Sequence, residues 1–553
     1  MSIGGSFEKS LAGQQRSWLE RKYVLFPLNV VVPFLKSLGS DEPARRRWIN
    51  VLIFLVWLLT VGFLALHHAM WRDEVRSLTI ALAGNDLIEM FKRLHGEGHP
   101  AVWYLLLRSA HTVVGRVEVL PVVAFLVALA IVGLLLFRSP FPRVLTAGLV
   151  FSKVLWFEYS VMARNYGISV LILFLIAEAY PKRRDSGLVV GALLFLLANT
   201  NVIGTLMAGA FLLFWFVDLL EETGARWTRK LGNFAVNASI TAAGIAVCAL
   251  TILPTYNDAA AQDWSKVSPV LSHLNAVLNP GSTSLLALVG RNLNLPGLLI
   301  SPVLFLVTVG LMPRRAAFIS ALFGLIVSAL FFSLAADGGE RHAGVWFFFC
   351  ITLYWIAWGD IAKALSTNSR RQAVKISTAI GLSGLVVLVS VQDIKGLITV
   401  GRFFADKDMV TSRSYDLGRL IASRSDLANA TIIAAPDYLV EALPYYIPNR
   451  TYLLRNHRFG NLVKFSRAGQ LNTSLADILD ESRVIKNATG APVIILLEHR
   501  LDEIVPNKSY PEGYNWTFKA SDEEIQDFRN NTKLLTRFAR AQTDESYDVY
   551  LLD

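Results

Sequence analysis

Cysteine is nearly missing. Only Cys248 and Cys350 occur in 553 residues, and both lie inside apolar runs. That excludes a disulfide framework in a soluble domain and a cysteine-based zinc site. Charge is sparse too, at 17% of residues. No Walker-type phosphate loop, His-Glu-X-X-His pair or Gly-X-Ser-X-Gly elbow is present, so three common hydrolytic chemistries lack their carriers. Internal repeats and low-complexity tracts are absent. There is also no cleavable signal pattern. The first long apolar run begins near Val51, too deep for a signal h-region. About 46 residues precede it, and the apolar stretch 23–38 within them holds Pro27 and Pro33. That stretch reads as interfacial rather than spanning.

What is abundant is hydrophobic sequence: 53% of residues, with a mean hydropathy of +0.44. The chain reads as an integral membrane protein with a soluble part. Its net charge of +10 does not indicate nucleic acid. The Lys and Arg residues cluster between apolar runs, as the positive-inside rule produces, and part of the excess suits anionic phosphate or membrane lipids.

A membrane span needs about 20 apolar residues. Eleven segments qualify or nearly do: 48–66, 119–137, 143–158, 165–180, 187–200, 202–220, 232–254, 295–312, 316–335, 344–364 and 376–398. A twelfth run, 101–115, is short and contains Arg108 and His111, so it reads as re-entrant or interfacial. Charge parity supports that reading. With 101–115 outside the count and Arg45–Arg47 inside, the clusters around Arg138, Lys182, Arg226, Arg314 and Lys363 all fall inside. If 101–115 spanned, all the later clusters would face outward.

The expected organisation is therefore an N-terminal cytoplasmic or interfacial segment (1–46), a transmembrane all-α polytopic bundle (47–399) with outer loops 67–118 and 255–294, and a soluble α/β domain (400–553). In the last, 431–434, 452–454, 493–497 and 549–552 read as strands, and 437–446 and 475–488 as helices. Asn-X-Ser/Thr sequons in this region matter only in a compartment with glycosylation machinery.

The outer face gathers the chemically interesting residues. Trp71-Arg72-Asp73-Glu74 ends the first span, and ionisable groups beside a lipid span are functional candidates by default. Desolvation raises a carboxylate's pKa and makes it a better base for an acceptor hydroxyl. Alternatively the acids cap the loop or pair with Arg72 or Arg76. Glu97, His99 and Pro100 follow, where His-Pro also suits a plain helix start. Tyr159, Arg164 and Tyr166 place a guanidinium fork between phenols, which suits a phosphate, or else form an aromatic belt with a snorkelling Arg. Glu340-Arg341-His342 opens the tenth span with a further cation, or with an internal Glu340–Arg341 pair. Asn201 either bonds a sugar hydroxyl or holds a turn.

These motifs resemble integral-membrane glycosyltransferases of the C superfamily (GT-C), in the branch of protein O-mannosyltransferases and lipid A aminoarabinose transferases. The matching residues are Asp73-Glu74, His99-Pro100-Ala101-Val102-Trp103-Tyr104, Tyr159 through Arg164 to Tyr166, and Arg341-His342. The similarity covers roughly 48–365. It implies an inverting transfer from a polyprenyl-phosphate sugar donor to a lipid, glycan or protein acceptor, at the outer face of a bacterial inner membrane with the C-terminal domain periplasmic.

By the resemblance, Asp73 is the catalytic base and Glu74 and His99 line the site. Arg164, Tyr159, Tyr166 and Arg341 hold the donor phosphate, with Arg72, Asn201 and His342 also placed among the substrate-binding residues. The chain departs from the family pattern at Ala101, Leu120, Asn201 and His342, which leaves sugar and acceptor open. No acidic cluster points to a divalent metal, although metal use varies across the superfamily. A flippase for a lipid-linked saccharide is the rival reading, but it lacks the matched repeats of transporters. A pure adaptor would be indifferent to Asp73.

Overall fold

The computed structural model describes residues 43–553 except 184–186, 225, 227, 259–269, 291–295, 336–337, 367–371, 407–408, 514 and 553. The proposed interfacial stretch 23–38 lies outside the described residues.

The bundle opens with α1 (Pro43–His67), an uninterrupted apolar helix. Three short helices then follow its C-terminal end: α2 (Arg72–Ala81), α3 (Leu87–Leu94) and α4 (Val102–Val114). The 13 residues of α4 are too few to span. Arg108 pins α4 to the end of α2, donating to the carbonyl oxygens of Ala81, Ala83 and Gly84. Gly115, at φ +71°, supplies the left-handed residue that ends α4.

The chain continues through α5 (Val119–Phe137), α6 (Arg143–Phe151) with a π turn at Val154–Glu158, α7 (Tyr166–Ala179), α8 (Gly187–Ala198), α9 (Val202–Thr223) and α10 (Arg229–Ile252). Beyond the short α11 (Val270–Leu278) come α12 (Gly297–Val309), α13 (Arg315–Leu334), α14 (Glu340–Ser366) and α15 (Gln372–Ala405).

Among the described residues seven helices are long and apolar enough to cross a membrane: α1, α5, α9, α10, α13, α14 and α15. Two more apolar helices, α8 and α12, are shorter. The other two expected spans are broken up: 143–158 is a nine-residue helix followed by a π turn, and α7 has 14 residues. The central helix is α14, with 72% of its apolar window buried, against 22% for α1 and α10 at the rim.

The basic clusters meet at one end of the bundle. Arg138 pairs with Glu178, Arg183 with Asp218 and Glu222, and Arg314 with Asp218. The residues from Trp71 to Glu74, Arg164 and Arg341 gather at the other end.

The polar domain follows α15, which runs to Ala405, and opens with α16 (Ser414–Ala422). Its main sheet has six strands in the order β3-β2-β1-β5-β9-β8, and a small sheet runs β4-β7-β6. The strands are β1 (Thr431–Ala435), β2 (Thr451–Leu453), β3 (Arg458–Phe459), β4 (Asn472–Ser474), β5 (Val493–Leu497), β6 (Tyr510–Pro511), β7 (Thr517–Lys519), β8 (Lys533–Phe538) and β9 (Tyr547–Leu552). β1 is parallel to β2 and β5, whereas β9 is antiparallel to β5 and β8. α17 (Leu475–Thr489) and α18 (Asp522–Asn531) cover one face, each started by a Ser capping box.

The expected helix over 437–446 is instead two 3₁₀ turns, Asp437–Val440 and Leu443–Tyr445. Pro444 lacks the N–H that a continuing helix would need.

Candidate functional site

Two neighbouring residues in the first turn of α2, just beyond the first membrane helix, decide the geometry. Glu74 is fully buried and spends its carboxylate on its surroundings. It accepts from the Trp71 N–H at 2.9 Å, from the Ala163 N–H, and from His68 Nε2 at 2.8 Å. Burial pushes its carboxyl up, but His68 and the two backbone donors outweigh that and hold it below the usual carboxylate range. Glu74 therefore does not line the cavity: it ties the end of α1, the start of α2 and the loop before Arg164 together.

Asp73, next in the helix turn, points the other way. Its Oδ2 meets Arg164 Nη1 in a close ion pair and lies 3.7 Å from Arg341 Nη2, and its Oδ1 lies 3.8 Å from Arg72 Nε. Burial works to raise its pKa, but Arg164, Arg72 and Arg341 overcome it and hold the carboxyl well below the usual range. Desolvation alone, as expected from the sequence, shifts it the opposite way; only the folded chain brings three guanidiniums onto one oxygen pair. Both arginines also pack on Trp71, at 5.7 Å for Arg164 and 4.8 Å for Arg341.

Asp73, Arg164 and His99 open onto a cavity of about 380 Å³ between α2, α4 and the C-terminal domain. His99 also borders a smaller apolar cavity of about 140 Å³, shared with Tyr166, Asn201 and His342. Burial, and then the neighbouring Arg164, lower the His99 pKa to about 4. At neutral pH it is an uncharged donor and acceptor.

Several expected ligand-holders are engaged elsewhere. The Tyr159 hydroxyl donates to the Arg341 carbonyl at 2.6 Å, so it fixes the start of α14 and borders neither cavity. Asn201 is a helix cap: it accepts from the Gly204 N–H and donates to Ser169 Oγ, which satisfies its amide. Arg72 lines the larger cavity but is committed to the C-terminal domain, donating to Asp544 and stacking 4.1 Å over Tyr438. Glu340 does not pair with Arg341, as one reading of the sequence had it. It takes Lys153 and Lys395 instead, which leaves the Arg341 guanidinium to Asp73.

His342 has a definite tautomer. Its Nδ1 accepts from the Gly339 N–H at 2.9 Å, so the proton sits on Nε2 and is donated to Tyr166 Oη at 2.7 Å.

The sequence did not reveal the far wall. Arg76 donates to Glu97 at 2.8 Å and also meets Glu441 and the Val463 carbonyl, so the C-terminal domain roofs the cavity. Burial raises the Glu441 carboxyl from the usual 4.5 to about 7, against the pull of Arg76. Glu97 stays below its usual range, because Arg76 outweighs its burial. Among the described residues no three His, Cys, Asp or Glu side chains converge on a common point for a metal ion.

No protein-family model matches the chain, and no curated protein matches it. Two crystal structures of ArnT from Cupriavidus metallidurans are similar to it. The apo form matches with TM-score 0.46 and 13% identity, over 92% of this chain and 98% of that one. The form bound to undecaprenyl phosphate matches with TM-score 0.46 and 14% identity, over 93% and 99%.

Proposed function

We propose that this membrane protein is an inverting glycosyltransferase that moves a sugar from a polyprenyl-phosphate donor to an acceptor hydroxyl on a lipid, glycan or protein. The chain crosses the membrane eleven times, with α6 plus its π turn, α7, α8 and α12 as short spans among longer neighbours. Its N-terminus is cytoplasmic and its C-terminal domain periplasmic, in a bacterial inner membrane. The observation that carries the reading is Asp73, an anionic carboxylate clasped by Arg164 and Arg341 at the mouth of a roofed polar cavity.

The chemistry is one in-line displacement. The acceptor oxygen bonds to the anomeric carbon as the bond from that carbon to the phosphate oxygen breaks. The bonding pair leaves with the phosphate, and the acceptor proton goes to Asp73. Fixed guanidiniums stabilise the departing phosphate more as its charge grows, which lowers the barrier rather than only tightening binding. Arg164 and Arg341 serve that role.

Asp73 is a weak base while it holds both cations. A donor phosphate competes for the same guanidiniums, so its arrival raises the proton affinity of Asp73 when a base is required. Tyr159 and Glu74 are positioning residues: the first fixes Arg341, the second fixes the backbone before Arg164.

Purified protein in nanodiscs, given a panel of polyprenyl-phosphate sugars, should release free polyprenyl phosphate with at least one. Asp73→Asn should lower that turnover by about 10²–10⁴ while donor binding persists, the usual consequence of losing a general base. Near-normal transfer by Asp73→Asn would overturn the mechanism.

A further inference from the structure

A second charged cavity, of about 380 Å³, lies at the far end of the bundle from Asp73. Three helices close around it. α9 supplies Trp215, Leu219 and Glu222, spaced by four and three residues along one face. α10 supplies Arg229, Lys230 and Asn233 from its first turns, and Gly187 opens α8 with Arg183 just before it. Val202, at the other end of α9, lines the Asp73 cavity, so from Val202 to Leu219 about 26 Å of helix separate the two spaces. A side chain at Gly187 would collide with the Asn233 amide, so the glycine lets α8 and α10 close on the cavity. That amide also donates to the Arg183 carbonyl at 3.2 Å.

Three cations, Arg183, Arg229 and Lys230, line the cavity against one anion, Glu222. Glu222 is shared between Arg183 and Lys230. Asp218, one turn deeper on α9, is shared between Arg183 and Arg314 and accepts from the Tyr180 hydroxyl. Arg229 is exposed and makes no ion pair among the described residues, so the excess positive charge sits at the rim. Toward the membrane centre the seam between α9 and α10 turns apolar. Phe216 is exposed on α9, with its ring 5.6 Å from that of Phe234 on α10. Both helices are long and apolar enough to cross a membrane, and α10 has only 22% of its apolar window buried, so this seam meets lipid.

From cations set over an open aromatic seam we infer that this cavity binds the headgroup of an acidic phospholipid, with Arg229 and Lys230 on its phosphate and Phe216 and Phe234 beside its acyl chains. A free anion would use the cations and leave the seam bare. A zwitterionic lipid would use the seam but bring a cationic headgroup among three cations. Basic pockets between spans select acidic headgroups for this reason. Bound there, the lipid fastens α10, a rim helix, to α8 and α9. The basic end of the bundle is cytoplasmic in the topology proposed above, so the lipid comes from the inner leaflet. The site is independent of the reaction carried out at Asp73.

The full chain in neutral detergent is titrated with phosphatidylglycerol, with phosphatidylcholine and with inorganic phosphate. Lipid retained in native mass spectrometry and the thermal midpoint are both followed. Phosphatidylglycerol should be retained and should raise the midpoint, because a ligand that binds only the folded chain stabilises it. The other two should do neither. Arg229→Gln should weaken phosphatidylglycerol binding about fivefold, the effect of removing one cation beside an anionic lipid. Its lipid-free midpoint should stay unchanged, since the exposed side chain has no ion pair to lose. Arg229→Lys should keep the affinity. Arg93→Gln, which removes an exposed cation on α3 at the Asp73 end, should have no effect. Wild-type affinity in Arg229→Gln would overturn the inference. So would an equal loss in Arg93→Gln, which would reduce binding to net charge. Equal retention of phosphatidylcholine, or equal stabilisation by inorganic phosphate alone, would overturn the assignment to an acidic phospholipid.

Discussion

Replacing Glu74 by Gln separates support from chemistry. Both carboxylate oxygens are engaged, Oε1 by the Ala163 N–H and Oε2 by the Trp71 N–H, with His68 Nε2 within reach of each. Glutamine offers one oxygen and one NH₂ group. Whichever way the amide turns, it points a donor at a backbone donor in a fully buried site. The loss of charge-assisted bonds to a buried anion, together with an unpaired buried N–H, costs about 3–5 kcal/mol.

The loop before Arg164 then loses its tether. A displacement of about 1 Å at a positioned catalytic group lowers rate about 10²-fold. Thermal unfolding followed by tryptophan fluorescence, with turnover measured well below the midpoint, reads both effects. The midpoint and the rate should fall together. A rate that collapses at an unchanged midpoint would return Glu74 to the chemistry, and no change in either would refute the tether. His68→Gln, which keeps the carboxylate and both backbone bonds, should shift the midpoint by less.

Arg164→Lys and Arg341→Lys should each lower turnover severalfold or more, because a point charge replaces a planar fork that reaches the Asp73 carboxylate and, on the proposed mechanism, the donor phosphate. Ala at either site should nearly abolish it, read as release of polyprenyl phosphate. Stability should fall as pH rises from about 4.5 through about 7, because the folded protein binds a proton at Glu441 more tightly than the unfolded chain does. Glu441→Gln should flatten that part of the pH profile of thermal unfolding. Reporter fusions after Lys230 and after Asp553 should report opposite sides of the membrane, and the same side for both would sink the eleven-span topology.

The helical segments were legible because a lipid-facing helix must be apolar along most of its length, and because Lys and Arg mark the other face. That α4 is too short to span was legible from the length of its apolar run, about 15 residues interrupted by Arg108. The C-terminal strands with fully buried β-branched runs, β1 and β5, also stood out. The edge elements did not. β3 and β8 are largely exposed, so no burial pattern marks them. At the centre, the outer acids and arginines could be named from their positions beside the spans. Their division of labour could not, because it depends on which oxygen each donor reaches. Neighbours such as Asp73 and Glu74 read alike in sequence, yet successive helix positions turn about 100° apart. One therefore faces the cavity, and the other faces His68 and Ala163. The roof was illegible for a different reason. Glu441 and Arg76 lie 365 residues apart, and only the docked domain brings them together.

The site is electrostatically closed upon itself, and that closure explains how it can hold so many charges close together. Arg164 and Arg341 without Asp73 would be two like charges with little water to screen them, packed against the same Trp71 ring. Asp73 keeps them apart from each other in energy and together in space. A phosphate monoester or diester brings the same sign of charge as Asp73 and more oxygen atoms, so it can take over both guanidiniums without leaving either unpaired. The exchange is nearly balanced in charge until the acceptor proton moves. On the proposed mechanism Asp73 is neutralised at that point and the arginines pass to the leaving phosphate, so the groups that pair with Asp73 are the ones that would stabilise the transition state.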